Sequence, residues 1–482
     1  MDREALLHYV TAKLAETPDL AREKTRVEGK PPRHIKAYLR LRKHADSFLR
    51  GDTANRIVLL PGLRGVGKTT AVLQLYRYLT LNRGIDPSRV LYFSADEMRN
   101  FLGGSIYDIV KTYVEDFHRS TLPGLDTQLW VLVDEAHFDR KWDVSAKIIY
   151  DQSRSIFLLL TGSSALSIEM GVDLARRVTK EPVFPLNFAE HIIFKYGVYP
   201  PKGTAEVIRR AVFQPSPEAA EGLAEAWADL RRRMLSIGKP LERELEHYLT
   251  AGGFPFCVGL RVKNIHSRLF DMVGRIVEKD VLATSQLRSD TRSVVTRIIY
   301  YLAQQKPGGV SDVKLASWLE VSSRSVRSLM EMLEKTHLIF SVRPYGGAGR
   351  VVRRAWKYYF QAPSINAALR SKLGTYHAGD REYLGLLAET MVASCFFRIK
   401  ETTYPLIGIF YDPDKRGADF ILQTGPGTLI PVEVSVSEKG ENQVRRTMRR
   451  CGAEYGVVIS GEDRVFMEKG VLHIPLTFFG FC

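Results

Sequence analysis

Residues Gly62 to Thr69 read GLRGVGKT: a glycine, four residues, then Gly-Lys-Thr. Glycines let the backbone turn until several N–H groups face one phosphate, and a helix opening at that point adds the positive end of its dipole. Gly62, Arg64, Gly65, Val66, Gly67, Lys68, Thr69 and Thr70 are therefore expected to line a nucleotide triphosphate. Lys68 is assigned to the β- and γ-phosphates and the Thr69 hydroxyl to Mg²⁺. A second stretch, LWVLVDEAH, ends five apolar residues in Asp134 and Glu135. A strand would deliver Asp134 to the metal and leave Glu135 to polarise an attacking water. A third, FLLLTGSS, ends in Thr161-Gly162-Ser163-Ser164 and places hydroxyls, Ser163 among them, level with the γ-phosphate.

The tail carries another set of acids: Glu389 in a helical stretch, Asp419 opening ADFIL, and Glu433 in VEVSVS. Helix acid, Asp, then Glu-x-Lys about fourteen residues on is the restriction-endonuclease arrangement, in which the acids hold Mg²⁺ and the lysine steadies water or phosphate. Ser435 stands at the lysine position and supplies no charge, so a nuclease-like fold with weak or absent cleavage is expected. Lys439 could swing in from the next segment, but nothing in the sequence requires it.

Short runs rich in Val, Ile, Leu and Phe must position these groups: RIVLLPG, RVLYFSA, LWVLVDE, SIFLLLTG and EPVFPL, separated by helical stretches. That alternation implies an α/β core with a parallel sheet covered on both faces. Polar helices follow, clearest at SPEAAEGLAEAWADLRRRMLSIG. Then SDVKLASWLEVSSRSVRSLMEMLEKTHLI reads as helix, tight turn, helix, and IFSVRPYGGAGRVVRRAWKYYF as two strands around a glycine turn. Together these form a winged-helix pattern. Ser322 or Ser323 caps its recognition helix, with Arg324 and Arg327 on one face. Arg350, Arg353, Arg354 and Lys357 supply the wing.

The 482 residues exceed one core, so three to five domains are expected. The net charge is +15. Between Thr291 and Thr375, fourteen Lys/Arg stand against four Asp/Glu, a net of +10 in under a fifth of the chain. Such a concentration suits a polyanion, most simply DNA. Four cysteines lack metal-ligand spacing and fit a reducing interior. No apolar run approaches a membrane span, and the first residues do not resemble a signal peptide. A cytoplasmic protein without membrane association is expected.

In strand order and motif spacing the chain resembles the AAA+ superfamily of ATPases. More closely, it looks like an archaeal and bacterial group of ATPases with this core, a helical lid, a winged helix and a C-terminal nuclease-like domain. The resemblance rests on GLRGVGKTT, LVDEAH, LLTGSS, DLARRV leading to FPLNFAEH, YLTAGGFP, YYF and GLLAETMV, and spans most of residues 35–435. It implies ATP and Mg²⁺ binding and assembly as a ring or dimer, with Arg176 or Arg177 completing a neighbouring subunit's site. The expected segments are an N-terminal helical piece (1–50), the P-loop core (51–190), a lid (191–290), the winged helix (291–375) and the nuclease-like domain (376–482). The reading that follows is an ATP-hydrolysing protein that remodels or translocates on DNA. Two rivals stay open: a nucleotide switch that recruits a protein partner, and an ATP-regulated, Mg²⁺-dependent DNA nuclease.

Overall fold

The computed structural model describes residues 3–26, 33–163, 170–281, 291–305, 309–347 and 355–482. They form two compact units, Met1–Phe184 and Pro185–Cys482.

The first unit is built on five parallel strands: β1 (Ile57–Pro61), β2 (Val90–Ser94), β3 (Leu129–Asp134), β4 (Ile156–Gly162) and β5 (Thr179–Lys180). Their order is β2-β3-β4-β1-β5. Strands β1, β3 and β4 are buried along their whole length. Near-continuous apolar runs of this kind are what a sheet covered on both faces requires. In the register, Leu60 lies beside Thr161 and Ser94 beside Asp134, so the carboxyl ends of neighbouring strands finish level. Ligands collect at this edge of an open α/β sheet.

EPVFPL is not the fifth strand. The pairing falls two residues earlier, at Thr179–Lys180, followed by an isolated bridge between Gly62 and Val183. Pro182 and Pro185 have no N–H to offer a ladder, which breaks the regular pattern even though Glu181 and Val183 still bond to β1.

The second unit opens with helices Phe188–Tyr196, Thr204–Phe213, Pro217–Met234, Leu241–Ala251 and Val262–Arg275. Helices Thr291–Gln304, Asp312–Leu319 and Ser323–Lys335 follow. The last is capped by Ser322, whose hydroxyl accepts from the Ser325 amide at 3.1 Å. It buries Val326, Leu329, Met330 and Leu333 at helical spacing and leaves Arg324 and Arg327 exposed.

Strands β6 (Gly309–Val310), β7 (Ile339–Pro344) and β8 (Trp356–Phe360) continue into β9 (Gly408–Tyr411), β10 (Phe420–Gly425), β11 (Thr428–Val434), β12 (Gly456–Ser460), β13 (Phe466–Glu468) and β14 (Val471–Pro475). They make one nine-stranded mixed sheet, ordered β13-β14-β12-β11-β10-β9-β7-β8-β6. The hairpin β7/β8 and the tail strands meet where β7 pairs parallel with β9. The sheet therefore crosses the boundary expected at residue 375.

One buried ion pair ties the start of this unit to its longest helix, Arg381–Thr402. Arg398 donates to both oxygens of Glu190 at 2.8 and 2.9 Å. Glu190 also caps its own helix through the Asn187 amide. No described helix is long and apolar enough to cross a membrane.

His191 is buried beside His247, with Lys195 and Glu244 nearby and the Tyr248 ring 5.5 Å away. Neither of its ring nitrogens has a hydrogen-bond partner among the described residues. Burial, then His247 and Lys195, push its pKa from 6.5 down to about 3, with Glu244 opposing. The unfolded chain thus binds a proton that the folded one refuses between these values. The stability contribution is complete above about pH 6.5 and drains as pH falls toward 3, by at most about 1.4 kcal/mol per pH unit. Melting curves from pH 7 to 5 are expected to fall more steeply for the native chain than for His191→Leu.

Candidate functional site

Strand β1 runs into the glycine turn, and the helix Lys68–Arg77 leaves it. Gly62 packs so closely that a Cβ there would run into the Val183 carbonyl. Gly67 takes φ +99°, open to glycine at no steric cost, and turns the chain into the helix. Val66 is buried beneath the turn. The Lys68 ammonium donates back across the loop to the Gly62 and Leu63 carbonyls at 2.9 and 3.1 Å.

Asp134 ends β3 with its carboxylate shut in. Thr69 donates to Oδ2 at 2.7 Å, the Tyr92 hydroxyl reaches the same oxygen at 3.4 Å, and Thr161 donates to Oδ1. Burial raises the Asp134 pKa and Glu135 adds to the rise, while Thr161, Thr69 and Lys68 oppose it. The Thr69 hydroxyl and the Asp134 carboxylate, side by side at the strand ends, are an oxygen set that fits a magnesium ion.

Glu135 follows with φ +52°, a left-handed conformation that costs a non-glycine residue about 1 kcal/mol or more. Its amide is held by the Thr161 hydroxyl at 3.1 Å. Arg64 stands 3.9 Å and His137 3.3 Å from its two carboxylate oxygens. Ser163 ends the same strand edge, with its hydroxyl buried and unpartnered among the described residues.

Of the residues expected at the nucleotide, the structure brings Lys68 to Gly62, Thr69 to Asp134 and Arg64 to Glu135. Two of their neighbours escaped the sequence reading: His137, two residues after Glu135, and Tyr92, two residues before the end of β2. The Thr161 hydroxyl, expected level with the γ-phosphate, is here bonded to Asp134 and the Glu135 amide. Of the two candidate arginines, Arg177 is engaged inside its own unit, 3.3 Å from Asp151 and donating to the Asp173 carbonyl at 2.6 Å. Arg176 is exposed.

In the second unit Arg324 is exposed, and Arg327 is exposed with Asp312 at 3.2 Å. Arg350, Arg353 and Arg354 lie outside the described residues. Lys357 does not face outward as a wing cation. Its side chain is 14% exposed, and the ammonium sits 3.3 Å from Glu389. Alternation along β8 explains this: Lys357 and Tyr359 share the face turned to the long helix, and both meet Glu389, Tyr359 at 2.6 Å.

Glu389, Asp419 and Glu433 are close enough to disturb one another's charge. Burial, then Glu389 and Glu433, push the Asp419 pKa well up, with Lys357 opposing. Burial also raises that of Glu433, with Lys439 opposing. The Val434 amide donates to Asp419 at 2.9 Å, and Lys439 is ion-paired to Glu433. Among the described residues, however, no three acids, histidines or cysteines form a group that could hold a metal ion. Two lysines supply the positive charge among these acids.

The first unit is a P-loop nucleotide-binding domain of the AAA type: residues 54–192 match the family model of an AAA domain. Residues 242–376 match a domain of unknown function (DUF8612). The chain belongs to the family of "Uncharacterized protein MJ1637" from Methanocaldococcus jannaschii, with which it is 31% identical over 436 residues, 90% of this chain and 86% of that one. Among solved structures it is similar to the Aeropyrum pernix ORC1 protein in complex with DNA, at TM-score 0.33 and 15% identity over 73% of this chain and 96% of that one. It is also similar to AMPPCP-bound DnaA from Aquifex aeolicus, at TM-score 0.26 and 15% identity over 62% and 88%. Neither likeness is close enough to carry chemistry across.

Glu433 is 1% exposed at its side chain, so its charge depends on Lys439. Lys439→Met is expected to destabilise the chain by about 3 kcal/mol in denaturant titration. Adding Glu433→Gln to that variant should restore most of the loss, because the buried charge is then gone.

Proposed function

We propose that the protein hydrolyses ATP and uses the cycle to act on DNA. The observation that carries the ATPase reading is the Asp134 carboxylate held by Thr69 and Thr161, with Glu135 strained beside it at one edge of the sheet. The backbone N–H groups of residues 62–69 cradle the phosphates, and Lys68 exchanges its carbonyl partners for phosphate oxygens. Magnesium held by Thr69 and Asp134 would neutralise phosphate charge. Glu135 accepts a proton from the attacking water as its oxygen bonds to the γ-phosphorus. The bond from that phosphorus to the bridging oxygen breaks, and ADP leaves with the electron pair. Ser163 orients the γ-phosphate.

The DNA part of the reading rests on the helix Ser323–Lys335, amphipathic and capped, with Arg324 and Arg327 on its open face, in the stretch of net charge +10 between Thr291 and Thr375. In a winged helix that element lies against the duplex, and its cations grip phosphates. The lid and winged-helix assignments of segments 191–290 and 291–375 belong to this proposal. So does assembly as a ring or dimer, in which the exposed Arg176 reaches a neighbour's γ-phosphate. The nuclease-like tail is proposed not to cleave DNA, because among the described residues its acids form no group that could hold a metal ion.

Steady-state ATPase rates with and without duplex, single-stranded and branched DNA test this. Glu135→Gln is expected to lower turnover about 100-fold or more while nucleotide binding survives, and Lys68→Ala to lose binding. One DNA form should raise the native rate, and Arg324→Ala/Arg327→Ala should remove that rise. A rate indifferent to every DNA overturns the DNA reading and leaves a nucleotide switch acting on a protein partner.

A further inference from the structure

The helix Asn442–Cys451, sequence NQVRRTMRRC, carries four arginines in ten residues. Its apolar side is narrow, with Val444, Thr447 and Met448 buried. Arg446 and Arg449 are exposed on the other side. Facing them is the loop between β9 and β10, with Lys415 and Arg416 exposed. Helix and loop enclose a groove of about 980 Å³ lined by Asp414, Lys415, Arg416, Asn442, Gln443, Arg446, Arg449 and Arg450. Five of the eight are cations and one is an acid.

The groove is held in shape from beneath. Asp412, its side chain fully buried, is ion-paired to Arg450 and accepts from the Thr447 hydroxyl at 2.6 Å. The same hydroxyl accepts from the Ala418 amide at 2.9 Å, and Gln443 donates to the Gly417 carbonyl at 3.1 Å. Asp414 stands 3.4 Å from Arg446 and 3.3 Å from Arg450. The acids therefore aim the arginines and leave an excess of positive charge. Two of these bonds pin the loop to the helix at Gly417 and Ala418, just before Asp419 in the chain.

We propose that this groove holds the phosphodiester backbone of a DNA duplex, as a contact separate from the helix Ser323–Lys335. Its lining residues are all polar or charged and include no aromatic ring on which a base could stack, which favours phosphates over a single nucleotide. Arginines one turn apart, with an asparagine and a glutamine between them and the loop, are donors suited to successive phosphate oxygens. The inference rests on the proposal that the chain acts on DNA.

The test is fluorescence anisotropy of a labelled duplex with the full chain across a salt series. The variants are Lys415→Ala/Arg446→Ala/Arg449→Ala and, separately, Arg324→Ala/Arg327→Ala, each checked by circular dichroism melting. The groove variant is expected to bind at least about 10-fold more weakly, equally for unrelated sequences, with a salt slope shallower by about 2 to 3. Unchanged affinity and slope in the groove variant overturn the inference. If the helix variant alone weakens binding, the DNA proposal stands and only the groove fails. A native chain that binds no duplex overturns both. Weaker binding with an unchanged slope shows a general effect on fold and overturns the groove, as does a loss seen with poly-glutamate and not with duplex.

Discussion

The geometry of the first unit hangs on one buried carboxylate. A lone Asp134 charge at the end of β3 would be expensive away from water. Here it is surrounded by hydroxyls from three elements: Thr69 from the P-loop helix, Tyr92 from β2 and Thr161 from β4. Each bond satisfies the carboxylate and also fixes an element. The P-loop helix is thereby registered against the sheet, β3 against β4, and the Glu135 backbone is locked in a conformation that it would not choose alone. The strained turn persists because Thr161 bonds both to Asp134 and to the next amide.

The second unit shows the same economy with ions. Glu190 and Arg398 join two helices far apart in sequence, and the carboxylate serves both as cap and as ion-pair partner. Among the tail acids, Lys357 comes from the hairpin and Lys439 from the loop after β11. A serine at the expected lysine position does not leave the acids without a cation; the cations arrive from elsewhere in space.

Much of this was legible in the residues, for reasons of scale. The phosphate turn is a contiguous motif, so GLRGVGKT and LVDE point to their neighbours without a fold. The helix–turn–helix pair reads from its apolar spacing and the Ser322 cap. What did not read from sequence depends on phase or on tertiary approach. Nothing local says which side of β8 faces the helix Arg381–Thr402, so Lys357 was placed outward. EPVFPL has a strand's composition, but its prolines spoil the ladder. The helix Asn442–Cys451 was missed because arginines hide its three buried residues, and β13 and β14 because they follow a stretch with few apolar residues.

The pairing of β7 with β9 has a mechanical consequence. Arg343 and Pro344 lie alongside Phe410 and Tyr411, and the Tyr345 amide extends the ladder to the Tyr411 carbonyl. Phe340 stacks on Phe397 with ring centroids 4.6 Å apart. The hairpin and the tail are thus welded through backbone and core alike, and the covalent connection through residues 373–380 is redundant to their union. Severing that connector would leave one body in two pieces of chain, and expressing either piece alone would strip a sheet edge and an aromatic face bare.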